Sequence, residues 1–179
     1  MASSKPLSEM IDLVYVNNDV FYEAFPDELL IAIFWEETLF KNVVQTKGKA
    51  GQSGLGFGQV QEDVLPLINA RMSQSFQKGL ILLNEATSVK VACYALETFR
   101  RGLQSHSPVS AYKIGYAGAT EAGKNQVLDG RTRGAIANDV WQASLDLKQC
   151  GWGDRAGVRR ALMRARQVNA DLIDSVIDG

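Results

Sequence analysis

Apolar residues recur at helical spacing along most of the chain, and one stretch is apolar without interruption. Residues 29–35 read Leu-Leu-Ile-Ala-Ile-Phe-Trp, so a helix formed there is apolar nearly all round. Pro26, Asp27 and Glu28 precede it, which suits a helix N-terminus because acids stabilise the positive end of the helix dipole. The pattern predicts a buried central helix that ends within residues 36–40.

Amphipathic patterns predict further helices on either side of the central one. Apolar positions three and four residues apart alternate with polar ones, as in helices with one face on a core. Asn-Asn-Asp at residues 17–19 divides the first pattern, and Gly-Trp-Gly at residues 151–153 ends a later one. The predicted helices cover residues 8–24 in two short pieces, 62–74, 76–103 in one or two helices, about 131–149 and about 154–177.

A glycine-rich segment interrupts the helical pattern after the central helix. Five glycines fall within residues 48–58, which a helix does not tolerate, so tight turns or a small hairpin are expected. Residues 108–124 are also rich in glycine and alanine. The sequence therefore predicts a mainly α-helical fold with one small glycine-rich β or loop element.

Length and composition are those of an ordinary globular protein. The chain has 179 residues, of which 46% are hydrophobic and 22% charged, so one domain is expected and disordered or fibrous classes are excluded. The net charge of −1 argues against a general nucleic-acid-binding protein, since such proteins carry a basic excess. Because no run of 18 apolar residues occurs, no transmembrane helix is expected. No membrane partner is expected either.

The cysteine and histidine content disfavours several kinds of site. Cys93 and Cys150 stand 57 positions apart and neither belongs to a CxxC pair, so no zinc ribbon or thioredoxin-like site is expected. One disulfide and two free thiols both remain open. His106, the single histidine, lies in a stretch typical of a loop. We therefore predict no metal site and no catalytic triad.

Glu37 is the first candidate for chemistry. It shares one face of the central helix with Leu30, Ile33 and Phe34, at the spacing i, i+3, i+4 and i+7. Desolvation there would raise the pKa of its carboxyl, and a protonated carboxyl can act as a general acid. Acids at a helix C-terminus oppose the dipole, so helix stability does not explain Glu37. Glu36 is the fallback acid if the register is displaced by one.

Four motifs in order resemble the lysozyme-like superfamily over about residues 27–152. The closest likeness is to the goose-type lysozymes and the soluble lytic transglycosylases. The family pattern is a Glu at the end of a buried helix, a Gly-Phe-Gly turn, a Tyr motif and a closing helix. The matching segments here are Glu37-Thr38-x-Phe40, Gly54-x-Gly56-Phe57-Gly58-Gln59-Val60, residues 110–115 around Tyr112, and residues 137–140 with 148–152.

The resemblance implies cleavage of peptidoglycan glycan strands between N-acetylmuramic acid and N-acetylglucosamine. By that resemblance Glu37 is the general acid, and Tyr112 lies close to it and orients it or the substrate. No cofactor is implied, because proton transfer and positioning suffice for glycosidic cleavage. The residues expected to line the cleft and contact sugar are Gly56, Phe57, Gly58 and Gln59.

Departures from the family pattern bear on the type of reaction. Lys113 stands in place of the usual Asn, the family's Leu-Met pair after the turn is missing, and Gln52 and Gln61 replace acids that flank it. Inverting hydrolysis needs a second carboxylate about 6.5–9.5 Å from the first. Glu62 and Asp63 are near enough in sequence to supply it. A lytic transglycosylase needs only one Glu, which favours that chemistry, while a hydrolase using Asp63 and an inactive relative stay open.

Two alternative functions, and one hypothesis on how the protein reaches its substrate, stand beside peptidoglycan cleavage. The fold could lack activity and bind sugar or serve as a structural part of a secretion machine or virion, or it could hydrolyse chitin or chitosan. Residues 1–10 lack the build of a secretory signal. We expect a protein made in the cytoplasm that acts in the periplasm or on the cell wall after non-standard delivery. It would then be an antibacterial effector or phage lysin, with a protein inhibitor (an immunity protein) or a secretion or phage component as partner.

The C-terminal part lies outside the resemblance. Residues 148–166 contain six basic residues against one acid. This pattern is typical of a solvated helix face, of a helix that docks to a partner or to an anionic cell-wall polymer, or of a helix packed back on the domain. The predicted organisation is an N-terminal helical extension at 1–25, a lysozyme-like domain at 26–152, and a basic amphipathic helix at 153–179.

Overall fold

The computed structural model describes residues 2–46, 51–102, 127–128 and 131–179, and these are mainly helical. Two small antiparallel sheets accompany the helices. The α-helices are α1 (Leu7–Asn17), α2 (Asp27–Thr38), α3 (Leu65–Met72), α4 (Lys78–Leu83), α5 (Glu85–Gly102), α6 (Arg133–Cys150), α7 (Arg155–Ala165) and α8 (Ala170–Asp178). The strands are β1 (Val44–Gln45), β2 (Gly54–Leu55), β3 (Val60–Gln61), β4 (Val127–Leu128) and β5 (Arg131–Thr132). The predicted mainly α class with a small β element is confirmed.

Helix α2 forms the centre of the fold. All residues from Leu29 to Trp35 are at most 1% exposed, because α1, α6 and α7 pack around the helix. At its end Leu39 and Phe40 both adopt left-handed backbone conformations (φ 55° and 62°), which terminates the helix. The reversal returns the Phe40 ring to Trp35, with ring centroids 5.1 Å apart.

The glycine-rich segment forms a three-stranded antiparallel sheet in the order β1-β2-β3. Val44 pairs with Leu55, and Leu55 pairs with Val60. Gly56 begins the turn between β2 and β3 with φ +74°, a backbone conformation that residues with a Cβ rarely adopt. This turn between β2 and β3 (residues 56–59) is called the glycine turn below. The predicted hairpin is thus present, with β1 added along its edge.

Two predicted helical stretches differ from the structure. Residues 19–25 form turns instead of a second helical piece, because the Asn18 amide donates to Phe25 O (2.8 Å) and to Asp27 Oδ1 (2.9 Å) and closes the chain on itself. The long helix predicted for 154–177 is divided into α7 and α8. Arg166 is extended, and the Asn169 side chain accepts from the backbone N–H of Asp171 as an N-cap of α8.

One cluster of buried apolar residues extends from Leu7 to Val176 and includes residues of all three predicted segments. Helix α7 packs on α2 and α6, and α8 packs on α1 and α7. The basic C-terminal segment is therefore packed back on the rest of the chain. Three of its arginines form ion pairs with acids of α8 and α6, namely Arg155–Asp178, Arg159–Asp174 and Arg164–Asp146. Within the described ranges, no helix combines the length and apolarity that crossing a membrane requires.

Candidate active site

Glu37 lies in the last turn of α2 and is half-buried. The three apolar residues on its helix face, Leu30, Ile33 and Phe34, are at most 1% exposed. Glu37 therefore continues a fully buried apolar helix face and is itself only partly buried. Such a position removes part of the water around a carboxyl while leaving access for a ligand.

The end of α2 is joined directly to the glycine turn. Thr38 Oγ1 donates to Phe57 O (3.0 Å) and lies 3.1 Å from Phe34 O in the preceding helical turn. The rings of Phe34 and Phe57 pack with their centroids 5.8 Å apart. Thr38 and Phe34 flank Glu37 in the helix, so the structure brings together the first two motifs of the resemblance.

The glycine turn is also held from its other side by α5. The backbone N–H of Phe57 donates to Ser88 Oγ (2.9 Å), and Ser88 is only 1% exposed. A Cβ on Gly56 would lie 2.3 Å from the same oxygen, so the absence of a side chain there permits this close approach. Phe57 is fully buried, backbone included, and its neighbours Gly56 and Gly58 are buried as well, so none of these three residues is exposed for contact with a sugar in this structure.

Gln59 folds its side chain back onto the glycine turn. It has φ +51°, and its Nε2 donates to Gly56 O (2.9 Å) and Val43 O (3.0 Å). Its Oε1 is buried and has no hydrogen-bond partner among the residues that the structure describes. Gly54 makes room for this arrangement, since a Cβ there would lie 2.4 Å from Oε1. Gly58 is buried. Gln59 thus stabilises the turn, and its predicted sugar contact stays a prediction.

The two candidate second acids follow β3 in a short 3-10 helix, Glu62–Val64. Glu62 is half-buried and forms an ion pair with Lys78 of α4 (3.2 Å). Asp63 is exposed, and its backbone N–H donates to Gly51 O (2.8 Å). The pairing with Lys78 gives Glu62 a structural partner, so of the two acids Asp63 is the better placed to meet a water molecule.

The other residues singled out in the sequence are Tyr112, His106 and Glu36. Tyr112 lies outside the described residues, as does His106. Glu36 is 9% exposed, and its backbone carbonyl accepts from Arg166 Nη1 (2.8 Å). Arg166 thereby supplies a cation to the C-terminal end of α2, where the helix dipole favours positive charge.

Three residues that position the site carried no recognisable signal of that role in the sequence. Thr38 was visible only as the neighbour of Glu37, Ser88 as one polar residue within a helical pattern, and Arg166 as one of several basic residues. Each acts through a hydrogen bond to backbone far away in sequence, up to 130 positions for Arg166 and Glu36. Periodicity carries no information on such pairs.

The thiols are unsuited to nucleophilic chemistry. Both cysteines are free, so the disulfide alternative is not realised in this structure. Burial raises the pKa of the Cys93 thiol to about 12, and the nearby Asp27 carboxylate adds to the effect. Burial also raises the pKa of Cys150. Among the described residues, no group of three or more His, Cys, Asp or Glu side chains is placed to hold a metal ion.

No protein-family model, curated protein or solved structure matches this chain. The function is therefore inferred from the site itself. Its chemical content is one half-buried carboxyl at the end of an apolar helix, beside a backbone turn that both α2 and α5 hold. Such a carboxyl can give a proton to a leaving oxygen and take one back.

Proposed function

We propose that this protein cleaves peptidoglycan glycan strands, with Glu37 as general acid and base. The observation that carries the proposal is the junction between α2 and the glycine turn. Thr38 donates to Phe57 O and the Phe34 ring packs on Phe57, so the candidate acid and the turn expected to bind sugar are neighbours. An acid at the end of a buried helix and a glycine turn are the first two motifs of the goose-type lysozymes and lytic transglycosylases, which this chain resembles. Their proximity here therefore supports the proposal.

Lytic transglycosylation is the form of the reaction that the site favours. Glu37 protonates the glycosidic oxygen as the bond to muramic acid C1 breaks. Its carboxylate then accepts the proton of the muramic acid 6-hydroxyl as that oxygen bonds to C1, which yields a 1,6-anhydro ring and restores the acid. No water is consumed, so no second carboxylate is required. The ion pair of Glu62 with Lys78 supports this assignment, because Glu62 already has a partner.

Mass spectrometry of purified peptidoglycan after incubation tests the proposal. Wild-type protein should release fragments that end in 1,6-anhydromuramic acid. Glu37→Gln should lower the rate by about 10²- to 10⁴-fold, because loss of a general acid has effects of that order. Glu36→Gln is the matched control, since it removes the neighbouring carboxyl from the same helical turn and should retain activity. Circular dichroism of each variant establishes that it is folded.

Each other result points to a defined alternative. Activity lost in Glu36→Gln and kept in Glu37→Gln would move the acid by one residue. Products with hydrated reducing ends would make the enzyme a muramidase, and Asp63→Asn should then abolish turnover. Intact sacculi with every folded variant, together with sugar binding or none, would favour the inactive sugar-binding or structural alternative. Cleavage of chitin oligomers alone would assign the chitinase-like class.

A further inference from the structure

The peptide units of Phe57 are held at both ends by hydroxyl groups from different helices. Ser88 Oγ of α5 accepts from Phe57 N–H (2.9 Å), and Thr38 Oγ1 of α2 donates to Phe57 O (3.0 Å). We infer that Ser88 is a positioning residue for the reaction at Glu37, because it fixes the glycine turn against the end of α2. This inference rests on the proposed function of the site.

Burial makes the Ser88 hydroxyl difficult to replace. Ser88 is 1% exposed and Phe57 is fully buried, so water does not substitute readily for the hydroxyl as the acceptor of the Phe57 N–H. A buried amide without an acceptor is unfavourable, and the turn would shift to find another partner. Because Ser88 is inaccessible, it cannot touch a substrate itself. Any influence on the reaction passes through the Phe57 backbone.

Close packing leaves the glycine turn little room to move. The position of a Cβ on Gly56 lies 2.3 Å from Ser88 Oγ and 3.1 Å from Ile81 Cγ2, so the turn backbone is pressed against α4 and α5. Asn42 adds to the constraint by donating to the carbonyls of Ile81 (3.3 Å) and Leu82 (3.2 Å) at the end of α4. Removal of the hydroxyl therefore frees the turn on its α5 side while the packing around Ile81 remains.

Thr38 links the glycine turn to Glu37 through its hydrogen bond with Phe57. Thr38 and Glu37 are adjacent in the last turn of α2, and the Thr38 hydroxyl also contacts Phe34 O in the same helix. A displacement of Phe57 therefore changes the distance between Glu37 and the glycine turn. Rates of positioned reactions are sensitive to errors of about 1 Å, which can cost on the order of 100-fold.

Steady-state kinetics of Ser88→Ala on soluble glycan fragments of peptidoglycan test the inference. We expect kcat to fall about tenfold with KM within about twofold, because the substrate still binds but the acid is misplaced. Thr98→Val is the matched control. Thr98 is also a buried hydroxyl of α5, but it donates to Tyr94 O within its own helix and should leave both constants within about twofold.

Amide hydrogen exchange of Phe57 gives a second readout that does not require turnover. The Phe57 N–H should exchange at least about tenfold faster in Ser88→Ala than in the wild type or in Thr98→Val, since opening of the turn no longer breaks a hydrogen bond. An unchanged exchange rate would overturn the inference even in an active enzyme. A double-mutant cycle with Thr38→Val should give effects on kcat that are less than additive, because both hydroxyls act on one residue.

The outcomes separate this inference from the proposed function. If the wild type cleaves peptidoglycan and Ser88→Ala cleaves it with the same kcat, Ser88 is not a positioning residue and the proposed function stands. If the wild type shows no turnover, the proposed function fails and the role of Ser88 fails with it. If Thr98→Val lowers kcat to the same extent as Ser88→Ala, the effect of both variants reflects a general loss of stability. That result would also overturn the inference.

Discussion

At the scale of single residues, the side chain of Glu97 is a buried carboxylate held by two arginines. It is 3% exposed and accepts from Arg100 Nε (2.7 Å) and Arg101 Nε (2.8 Å) on the same helix, α5. The hydrogen bond from Arg100 lowers the pKa of the Glu97 carboxyl most, against the opposing effect of burial, and Arg101 adds to the lowering. Glu97 is therefore charged in the folded protein at neutral pH.

Replacement of this carboxylate should destabilise the protein in a pH-dependent way. Glu97→Gln should lower the free energy of unfolding at pH 7 by about 1 to 3 kcal/mol, because the two arginines lose their charged partner. A carboxyl with a lowered pKa stabilises the fold above its unfolded-state pKa and loses that effect as the pH falls through its folded-state value. The difference between wild type and variant should therefore shrink below about pH 4.5, the ordinary value for Glu. Urea denaturation at several pH values measures it, and a constant difference would contradict the assignment.

Individual residues show where sequence reasoning succeeds and where it stops. The burial of Leu30, Ile33 and Phe34 followed from helical periodicity, because one face repeats every three to four residues. The hydrogen bonds of Ser88 and Arg166 join positions 31 and 130 apart, and no local pattern encodes such distances. The scaffold of the site was thus predictable, and the residues that hold it in place were not.

At the scale of elements, the glycine turn depends on a position that tolerates no side chain. Gly56→Ala places a Cβ in a left-handed conformation (φ +74°) and 2.3 Å from Ser88 Oγ. We expect a loss of more than about 1 kcal/mol in the free energy of unfolding, together with loss of activity. Thermal unfolding followed by circular dichroism measures the stability.

A second glycine supplies the control for that substitution. A Cβ on Gly153, between α6 and α7, would meet no atom within 4 Å. Gly153→Ala should therefore change the free energy of unfolding by less than about 0.5 kcal/mol. Equal losses in the two variants would mean that the close approach of Gly56 to α5 contributes nothing.

Elements were predictable where the pattern was local and strong. The hairpin followed from five glycines in eleven residues, and α2 from its unbroken apolar run. The end of α7 was missed because the apolar spacing continues through Val168 and Leu172 into α8. The break depends on Arg166, which extends to reach the carbonyl of Glu36, and on the capping side chain of Asn169.

At the scale of the whole molecule, the C-terminal segment supports the helix that carries Glu37. Arg166→Met removes the donor to Glu36 O and should lower the free energy of unfolding by about 1 to 2 kcal/mol. The corresponding fall in Tm is about 2 to 8 °C for a chain of this length. Differential scanning calorimetry measures both.

Arg160→Met is the matched control for this substitution. Arg160 is exposed on α7 and has no hydrogen bond or ion pair with any residue of the described ranges. It should leave Tm within about 2 °C of the wild type. If both variants lost the same stability, net charge rather than the contact with α2 would be responsible.

The contact between Arg166 and Glu36 has a consequence for synthesis. The two residues are 130 positions apart, and chains grow at about 5 to 20 residues per second, so roughly 6 to 26 seconds pass between their translation. For most of that interval the apolar surface of α2 has been made, but the helices α6 and α7 that cover it have not. The nascent chain therefore carries its candidate acid on an uncovered helix. A chain terminated before α6 and α7 are made would leave the apolar surface of α2 exposed, which favours aggregation.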